Sequence, residues 1–179
     1  INQIIQGDCL DVMKTFPDKS VDLVLTDPPY GVSFRETDWD DEIPNWINEG
    51  RRIAKTVIVI TGTLTIWEYP QPTWVLLWYR PASSSRSKVG GFSHWSPILV
   101  YGDVKFPVDS INLHAIQHSD HIGLGHPTPK PIELMKWLVK NGSKEGDTVL
   151  DPFLGSGTTA LAAKLLKRNY IGIEISKDY

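Results

Sequence analysis

The sequence predicts an α/β fold built on a doubly wound sheet, and three observations indicate it. Seven short runs are rich in apolar β-branched or aromatic residues, which is typical of strands. Several of these runs are apolar at successive positions, as in strands that are buried on both faces of a sheet. Helical patterns lie between some of the runs. The predicted strands are residues 4–5, 21–26, 57–60, 74–79, 98–101, 148–150 and 171–175.

Four segments are predicted to be helical: residues 9–15, 44–54, 131–141 and 158–168. The third has apolar residues at helical spacing and ends at Asn141-Gly142, a common helix stop. Residues 68–91 contain three prolines, a serine run and paired glycines, which predicts one strand flanked by mobile loops. We expect a single domain over residues 1–179, with a mobile loop at about 80–96 and no separate target-recognition domain.

Composition narrows the class of protein. With 179 residues, 41% hydrophobic and 22% charged, the chain has the profile of a globular domain, which excludes disorder, collagen and coiled coil. A single cysteine excludes an internal disulfide framework and a Cys-rich zinc site. The sequence shows neither a membrane-length apolar stretch nor a signal-peptide pattern, so we expect a cytoplasmic protein. A net charge of −3 argues against a nonspecific nucleic-acid coat, but not against a nucleic-acid enzyme with a local basic patch.

A glycine loop follows the predicted strand at 148–150 and opens the last predicted helix. Glycines let a ligand approach the backbone, and free N–H groups at a helix start suit a phosphate or a carboxylate. A P-loop is excluded because no Gly-Lys-Ser/Thr follows, and the dinucleotide pattern has Ala160 where its third glycine would fall. Glu174 ends a strand roughly 20 residues further on, where an acid commonly accepts hydrogen bonds from ribose hydroxyls. These features predict a nucleoside ligand without a pyrophosphate, and S-adenosylmethionine fits. The alternative is a helix-capping turn and a surface Glu.

The segment Asp27-Pro28-Pro29-Tyr30 lies at the end of a predicted buried strand, where open α/β sheets bind ligands. Its two prolines stiffen the turn and remove two N–H donors, so the turn presents carbonyl oxygens. A carboxylate, a rigid carbonyl and an aromatic ring together suit an amino group on a planar ring, which would stack on Tyr30. The alternative is a capping Asp followed by a proline turn.

Four segments together resemble the β group of amino-group DNA methyltransferases. Asp27-Pro28-Pro29-Tyr30 resembles the catalytic motif, and the loop resembles the cofactor loop of that family. The segment before the loop and the strand end at Gly7-Asp8 resemble the flanking cofactor segments. The catalytic motif precedes the cofactor loop, which is the circularly permuted order of this group. The loop reads Asp151-Pro152-Phe153-Leu154-Gly155-Ser156-Gly157-Thr158-Thr159, and the segment before it reads His126-Pro127-Thr128-Pro129-Lys130-Pro131.

The resemblance implies a seven-stranded Rossmann-like methyltransferase sheet and methylation of an exocyclic amino group in DNA, with S-adenosylmethionine as the cofactor. Adenine N6 is favoured, and cytosine N4 is the alternative. The target base would be flipped out of the duplex onto Tyr30. The implied catalytic residues are Asp27, Pro28, Pro29 and Tyr30. The implied cofactor residues are Asp8, Cys9, Lys130, Asp151, Phe153, Gly155, Ser156, Gly157, Thr158, Thr159 and Glu174.

Three rival functions fit these residues less well. A methyltransferase acting at cytosine carbon needs a cysteine nucleophile, and Cys9 is not in the catalytic turn. A protein amide methyltransferase uses a similar turn with Asn where this chain has Asp27. A non-catalytic DNA-binding or regulatory subunit would not need every motif residue that the chemistry requires.

Two further groups, one of cations and one of histidines, predict a binding site less strongly than these motifs do. Arg80, Arg86 and Lys88 follow a strand in a Ser/Gly-rich loop, which suits phosphate contact, although a solvated loop is the alternative. The interval that normally holds a recognition region is short, so we expect recognition to be weak or to need a homodimer or a separate recognition subunit. Four histidines between 114 and 126 lie in a loop-like span, and we expect no metal there. Trp39 could fold over substrate or pack on a surface loop.

Overall fold

The computed structural model describes residues 2–31, 45–81, 83, 90–114 and 129–176. Within these ranges the chain forms eight strands, four α-helices and one 3-10 helix, Thr65–Glu68. The helices are α1 (Cys9–Met13), α2 (Ile47–Ile53), α3 (Ile132–Gly142) and α4 (Thr158–Leu165). The strands are β1 (Asn2–Gln6), β2 (Val21–Thr26), β3 (Ala54–Ile60), β4 (Trp74–Tyr79), β5 (Trp95–Tyr101), β6 (Ser110–Asn112), β7 (Thr148–Asp151) and β8 (Asn169–Glu174).

All eight strands join one sheet in the order β1-β8-β7-β2-β3-β5-β4-β6. Strand β5 is antiparallel to β3 and β4, and the remaining pairs are parallel. The carboxyl ends of β8, β7, β2 and β3 therefore lie side by side at one edge. This edge is where ligands bind in open α/β sheets.

The predicted α/β class is confirmed, but the predicted count of seven strands is wrong. The eighth strand among the described residues is β6, which pairs with β4 at the edge of the sheet. Its three residues place one apolar side chain, Ile111, between two polar ones. One apolar residue is too short a run to be recognised as a strand. The segment becomes a strand because its backbone pairs with the edge of β4.

The central strands are buried on both faces, which explains their successive apolar residues. Leu23, Leu25 and Ile58 lie in the core cluster that includes the buried faces of α3 and α4. Val24 and Val57 belong to the opposite cluster, which includes residues of α1 and α2. Fully covering each such side chain stabilises the fold by roughly 1.5–3 kcal/mol, so the sheet centre is a rigid base for the edge above it.

Two predicted boundaries differ from the structure for local reasons. Strand β3 begins at Ala54, directly after α2, so the segment predicted as helix to residue 54 changes to strand there. Helix α4 ends at Leu165 rather than at 168, because Lys167 has a left-handed backbone with φ of 60°. Within the described ranges, no helix has the length and apolar character needed to cross a membrane.

Candidate active site

The ends of β2, β7 and β8 bring together motifs that lie far apart in the sequence. Strand β7 pairs with β2 on one side and with β8 on the other. The turn that starts at Asp27, the glycine loop that starts after Asp151, and Glu174 therefore follow three adjacent strands. The predicted catalytic turn and the predicted cofactor loop are neighbours at the carboxyl edge.

The carboxylate of Asp27 is held by two donors. The Tyr30 hydroxyl donates to Asp27 Oδ1 at 2.6 Å. The Lys130 ammonium donates to Asp27 Oδ2 in an ion pair whose side chains are only 15% and 24% exposed. The same ammonium lies 5.8 Å from the centroid of the Tyr30 ring, within the range of a cation–π contact. Lys130, predicted as a cofactor residue, thus contacts the predicted catalytic residues directly.

The Tyr30 ring lies beside the end of β3. A Cβ atom placed on Gly62 would be in ordinary van der Waals contact with the ring, 3.7 Å from Tyr30 Cδ2, and in a tight contact with Thr65 Oγ1 at 3.1 Å. Desolvation of the hydroxyl, reinforced by the negative charge of Asp27, holds the pKa of Tyr30 well above its usual value. Tyr30 is therefore a protonated donor to Asp27 at neutral pH.

Asp151 is a buried carboxylate that joins three elements. Its Oδ1 accepts from Thr26 Oγ1 at 2.7 Å and from the Phe153 amide at 3.0 Å, and the Thr159 hydroxyl also bonds to the carboxylate. Burial raises the pKa of Asp151 to about 6 despite these bonds. The contacts make Asp151 a positioning residue that ties β2 and the start of α4 to the loop. Direct contact between Asp151 and a cofactor stays a prediction.

The glycine loop needs left-handed backbone at two positions. Gly155 has φ of 48° and Gly157 has φ of 75°, and Gly157 caps α4 without a side-chain hydrogen bond. Nothing lies within 4 Å of a Cβ placed on Gly157, so the conformation, not crowding, favours glycine there. The hydroxyls of Ser156 and Thr158 are 2.9 Å apart at the helix start. The loop therefore presents backbone and small polar groups to its open side.

Glu174 fixes the loop to the end of β8. Its Oε2 accepts from the Gly155 amide at 2.9 Å, and its Oε1 accepts from the Ser176 amide at 2.9 Å. Each oxygen keeps a second lone pair for a further donor such as a ribose hydroxyl. Leu154 packs onto β8, where a Cβ placed on Gly172 would lie 2.6 Å from Leu154 Cδ1. Glycine at position 172 thus lets the loop lie close to the strand.

Asp8 and Cys9 lie at the end of β1, beside Glu174. Asp8 caps α1 by accepting from the Leu10 amide at 2.8 Å and from the Asp11 amide at 3.1 Å. Cys9 is 8% exposed, and burial, with the charge of Asp8 as a smaller cause, raises the pKa of its thiol to about 11. The thiol is therefore protonated at neutral pH and is a poor nucleophile.

Arg80 directly follows β4, on the side of the sheet away from β8. Its backbone amide donates to the His94 carbonyl at 2.6 Å, and its guanidinium donates to the Trp95 carbonyl at 3.2 Å. The guanidinium lies 5.5 Å from the Trp78 ring, and burial lowers the pKa of Arg80. Arg80 therefore links the end of β4 to the residues at the start of β5. Phosphate contact by Arg80 stays a prediction.

Several predicted residues lie outside the described part of the chain. These are Arg86, Lys88, Trp39, His118, His121 and His126. His114 is described, and no group of three or more candidate metal ligands occurs among the described residues. Trp46 is buried with its ring 5.7 Å from the Phe153 ring.

Sequence reasoning missed three contributors to the site. Thr26 is an unremarked residue of a buried strand, yet its hydroxyl anchors Asp151. Gly62 lies beside the Tyr30 ring just beyond the end of β3, and its amide donates to Thr65 Oγ1 at 3.2 Å. The polar break that follows the apolar run of β3 was a usable pattern for Gly62, because ligand-binding residues collect at strand ends. Nothing in the sequence alone pairs Lys130 with Asp27.

Comparisons with known proteins agree with this arrangement. The model of the N6/N4 methylase family, described as DNA methylase, matches residues 61–179. The type II methyltransferase M2.MboI of Moraxella bovis is 29% identical, over 98% of this chain and 84% of that protein. The matched family region contains the glycine loop and Glu174, and the alignment with the relative also spans the Asp27 turn.

Two solved structures share the fold. The complex of M1.HpyAVI with S-adenosylmethionine superposes with a TM-score of 0.73 at 24% identity, covering 100% of this chain and 96% of that one. The cytosine-N4-specific PvuII DNA methyltransferase superposes with a TM-score of 0.72 at 16% identity, covering 98% of this chain and 82% of that one. At these identities the likeness establishes the fold alone.

Proposed function

Because the chain belongs to the N6/N4 DNA methylase family, we propose that it transfers a methyl group from S-adenosylmethionine to an exocyclic amino group in DNA. The observation that carries the proposal is the Asp27 carboxylate, hydrogen-bonded to Tyr30 at the end of β2, beside the glycine loop at the end of β7. An amine acceptor and a cofactor cradle are adjacent, as transfer between two bound molecules requires.

The residues around the loop fit S-adenosylmethionine. The start of α4 and the loop amides suit its carboxylate, and Glu174 and Asp8 supply acceptors for its hydroxyl and amino groups. Phe153 offers an aromatic ring beside this cradle, with Trp46 packed against its far edge. The cofactor supplies an electrophilic methyl group when it is bound.

The chain's own chemistry concerns the target amine. An exocyclic amine is a poor nucleophile because its lone pair is delocalised into the ring. The Asp27 carboxylate and the Pro28 carbonyl would accept hydrogen bonds from the two N–H groups of the amine. These bonds would favour a tetrahedral nitrogen with a localised lone pair. The ring would stack on Tyr30, and positioning would supply most of the rate. Such contacts require the base to leave the duplex.

Adenine N6 is the target we favour, because Asp in the catalytic turn is associated with adenine in the family that the sequence resembles. Cytosine N4 is the second candidate, since a cytosine-N4-specific enzyme shares the fold. We further propose that DNA phosphates are contacted by Arg80, Arg86 and Lys88. We also propose a homodimer or a separate recognition subunit, and a cytoplasmic location.

Incubation with cofactor labelled in its methyl group tests the function. The chain is offered DNA or unrelated protein, and the products are digested and separated as nucleosides or amino acids. We expect the label in N6-methyldeoxyadenosine. Label in N4-methyldeoxycytidine would select the second target, whereas label in protein alone, or in 5-methyldeoxycytidine, would contradict the proposal.

A further inference from the structure

We propose that the Lys130 ammonium holds the place of the target amine, so that a base must displace Lys130 from Asp27 to become bound. Lys130 would then act as a positioning residue that sets how much binding free energy the amine contributes. This inference rests on the proposed function, because it assigns the amine to Asp27.

Two contacts of Lys130 coincide with the two contacts assigned to the base. The ammonium donates to Asp27 Oδ2, the carboxylate expected to accept from the amine. It also lies 5.8 Å from the centroid of the Tyr30 ring, on which the base is expected to stack. Asp27 Oδ1 already accepts from Tyr30 at 2.6 Å. Each oxygen has a second lone pair, so the competition arises because the ammonium lies both on the oxygen and beside the ring that the base would use.

The ion pair is partly shielded from solvent. The Lys130 and Asp27 side chains are 15% and 24% exposed, so solvent screens the pair less than it would a surface pair. A lysine ammonium and an exocyclic amine are both N–H donors, but the ammonium carries a full charge. Displacing it thus offsets part of what the amine gains from Asp27.

The ammonium group of Lys130 can move while the backbone of the residue keeps its position. Pro129 and Pro131 flank the residue and restrict its backbone, and α3 begins at Ile132. The side chain has a flexible four-carbon stem, so the ammonium can leave Asp27 without unfolding this segment. The same device does not exist at Lys136, whose ammonium pairs with Glu133 on α3 at 2.9 Å.

A binding comparison isolates the competition. The probes are two oligonucleotides that differ at the one position methylated by the wild-type chain. One carries the natural base, and the other carries its analogue without the exocyclic amine, purine for adenine or 2-pyrimidinone for cytosine. Dissociation constants are measured in the presence of the demethylated cofactor, which cannot react. The constant for the analogue divided by the constant for the natural base reports the contribution of the amine alone.

Lys130→Met should raise this ratio by roughly tenfold, because a net hydrogen bond to a charged group is worth about that factor or more. Lys130→Arg should keep the wild-type ratio, since it keeps a cationic donor. Lys136→Met is the matched control with the same change of charge, and its ratio should be unchanged. Thermal unfolding of each variant checks that the fold is kept.

Three outcomes would overturn the inference. An unchanged or lower ratio in Lys130→Met shows that the ammonium does not compete with the amine. An equal loss of affinity for both oligonucleotides shows that Lys130 binds phosphate or the ring instead. A loss of cofactor affinity with an unchanged ratio shows that it binds the cofactor. If the wild-type chain methylates no base in DNA, the proposed function fails, which is a separate result.

Discussion

Asp27 and Asp151 are neighbouring carboxyl groups that their surroundings adapt to different tasks. Asp27 lies beyond the end of β2, where it accepts from Tyr30 and pairs with Lys130. Asp151 lies at the end of β7 and is 3% exposed, with its bonds directed to Thr26, Phe153 and Thr159. We propose that the first carboxylate binds the substrate amine, whereas the bonds of the second hold the turn and the loop together.

The environment of Asp151 predicts a pH-dependent stability. Its pKa is about 6 in the fold, mainly through burial, against an ordinary value of 3.8. The folded state then binds more protons than the unfolded state between these values, so stability falls as pH rises through this window. Above pH 6 the shift represents a cost of about 3 kcal/mol, at 1.36 kcal/mol for each pKa unit.

Asp151→Asn should remove this slope. The amide keeps an acceptor oxygen for Thr26 and Phe153, and the Thr159 hydroxyl can rotate to accept from the new NH₂ group. Urea unfolding at pH 4 and at pH 7 checks the prediction: the stability difference between variant and wild type should move in favour of the variant by about 2 kcal/mol, because the unfolded carboxyl group is already partly ionised at pH 4. A difference that is independent of pH would mean that Asp151 is ionised throughout.

At the scale of elements, the contact between the glycine loop and β8 decides whether the cofactor cradle forms. Gly172 belongs to β8, and Leu154 belongs to the loop. Gly172→Ala would place a methyl group 2.6 Å from Leu154 Cδ1, so the Leu154 side chain or the loop that carries it must shift. We expect a loss of roughly 1–3 kcal/mol in unfolding free energy, as for other overpacked sites, and weaker binding of S-adenosylmethionine.

A double variant separates this clash from other effects. Leu154→Ala removes the side chain that the new methyl group meets, so Gly172→Ala should cost less in that background. Calorimetric cofactor affinity and chemical unfolding measure both quantities. Strictly additive losses in the double variant would show that the Gly172–Leu154 contact does not set the position of the loop.

The elements also show how far the sequence could be read. Apolar runs predicted β2, β3 and β5, because burial on both faces leaves a continuous pattern. The runs of β4 and β7 were also recognised, although β4 is exposed at both of its ends and β7 has only four residues. Strand β6 could not be predicted, since pairing with β4 and not its own composition makes it a strand. The start of β3 was missed because α2 runs directly into it without a turn residue.

The candidate site was predictable where chemistry follows local sequence. Asp27, the glycine loop and Glu174 each stand at a strand end with punctuation that marks it. The contact of Lys130 with Asp27 joins residues 103 positions apart, and no local pattern encodes it. The anchoring of Asp151 by Thr26 is likewise a product of strand order.

At the scale of the whole molecule, charge limits the attraction to DNA. The net charge is −3, so phosphate contacts must come from a few local cations. Contacts at Arg80, Arg86 and Lys88 would give a slope of about −2 to −4 in a plot of log affinity against log salt, at roughly 0.9 per contact. Base flipping opposes duplex binding by a few kcal/mol, so single-stranded DNA should be methylated at least as well.

Binding titrations at several salt concentrations check this prediction. Replacing Arg86 and Lys88 with Ala should weaken binding about equally for all sequences and reduce the slope by roughly one unit per lost contact. Nanomolar, sequence-selective duplex binding by the chain alone at physiological salt would contradict it, and would place recognition within the chain itself.

The measurement that tests the central claim most directly compares turnover and cofactor affinity in Asp27→Ala. The account assigns Asp27 to the amine and not to the cofactor, so methyl transfer to DNA should be abolished while calorimetric affinity for S-adenosylmethionine stays within a few-fold of wild type. Glu174→Ala serves as the opposite control, with weakened cofactor binding. If Asp27→Ala keeps most of its methyl transfer activity, the assignment of the catalytic turn is contradicted.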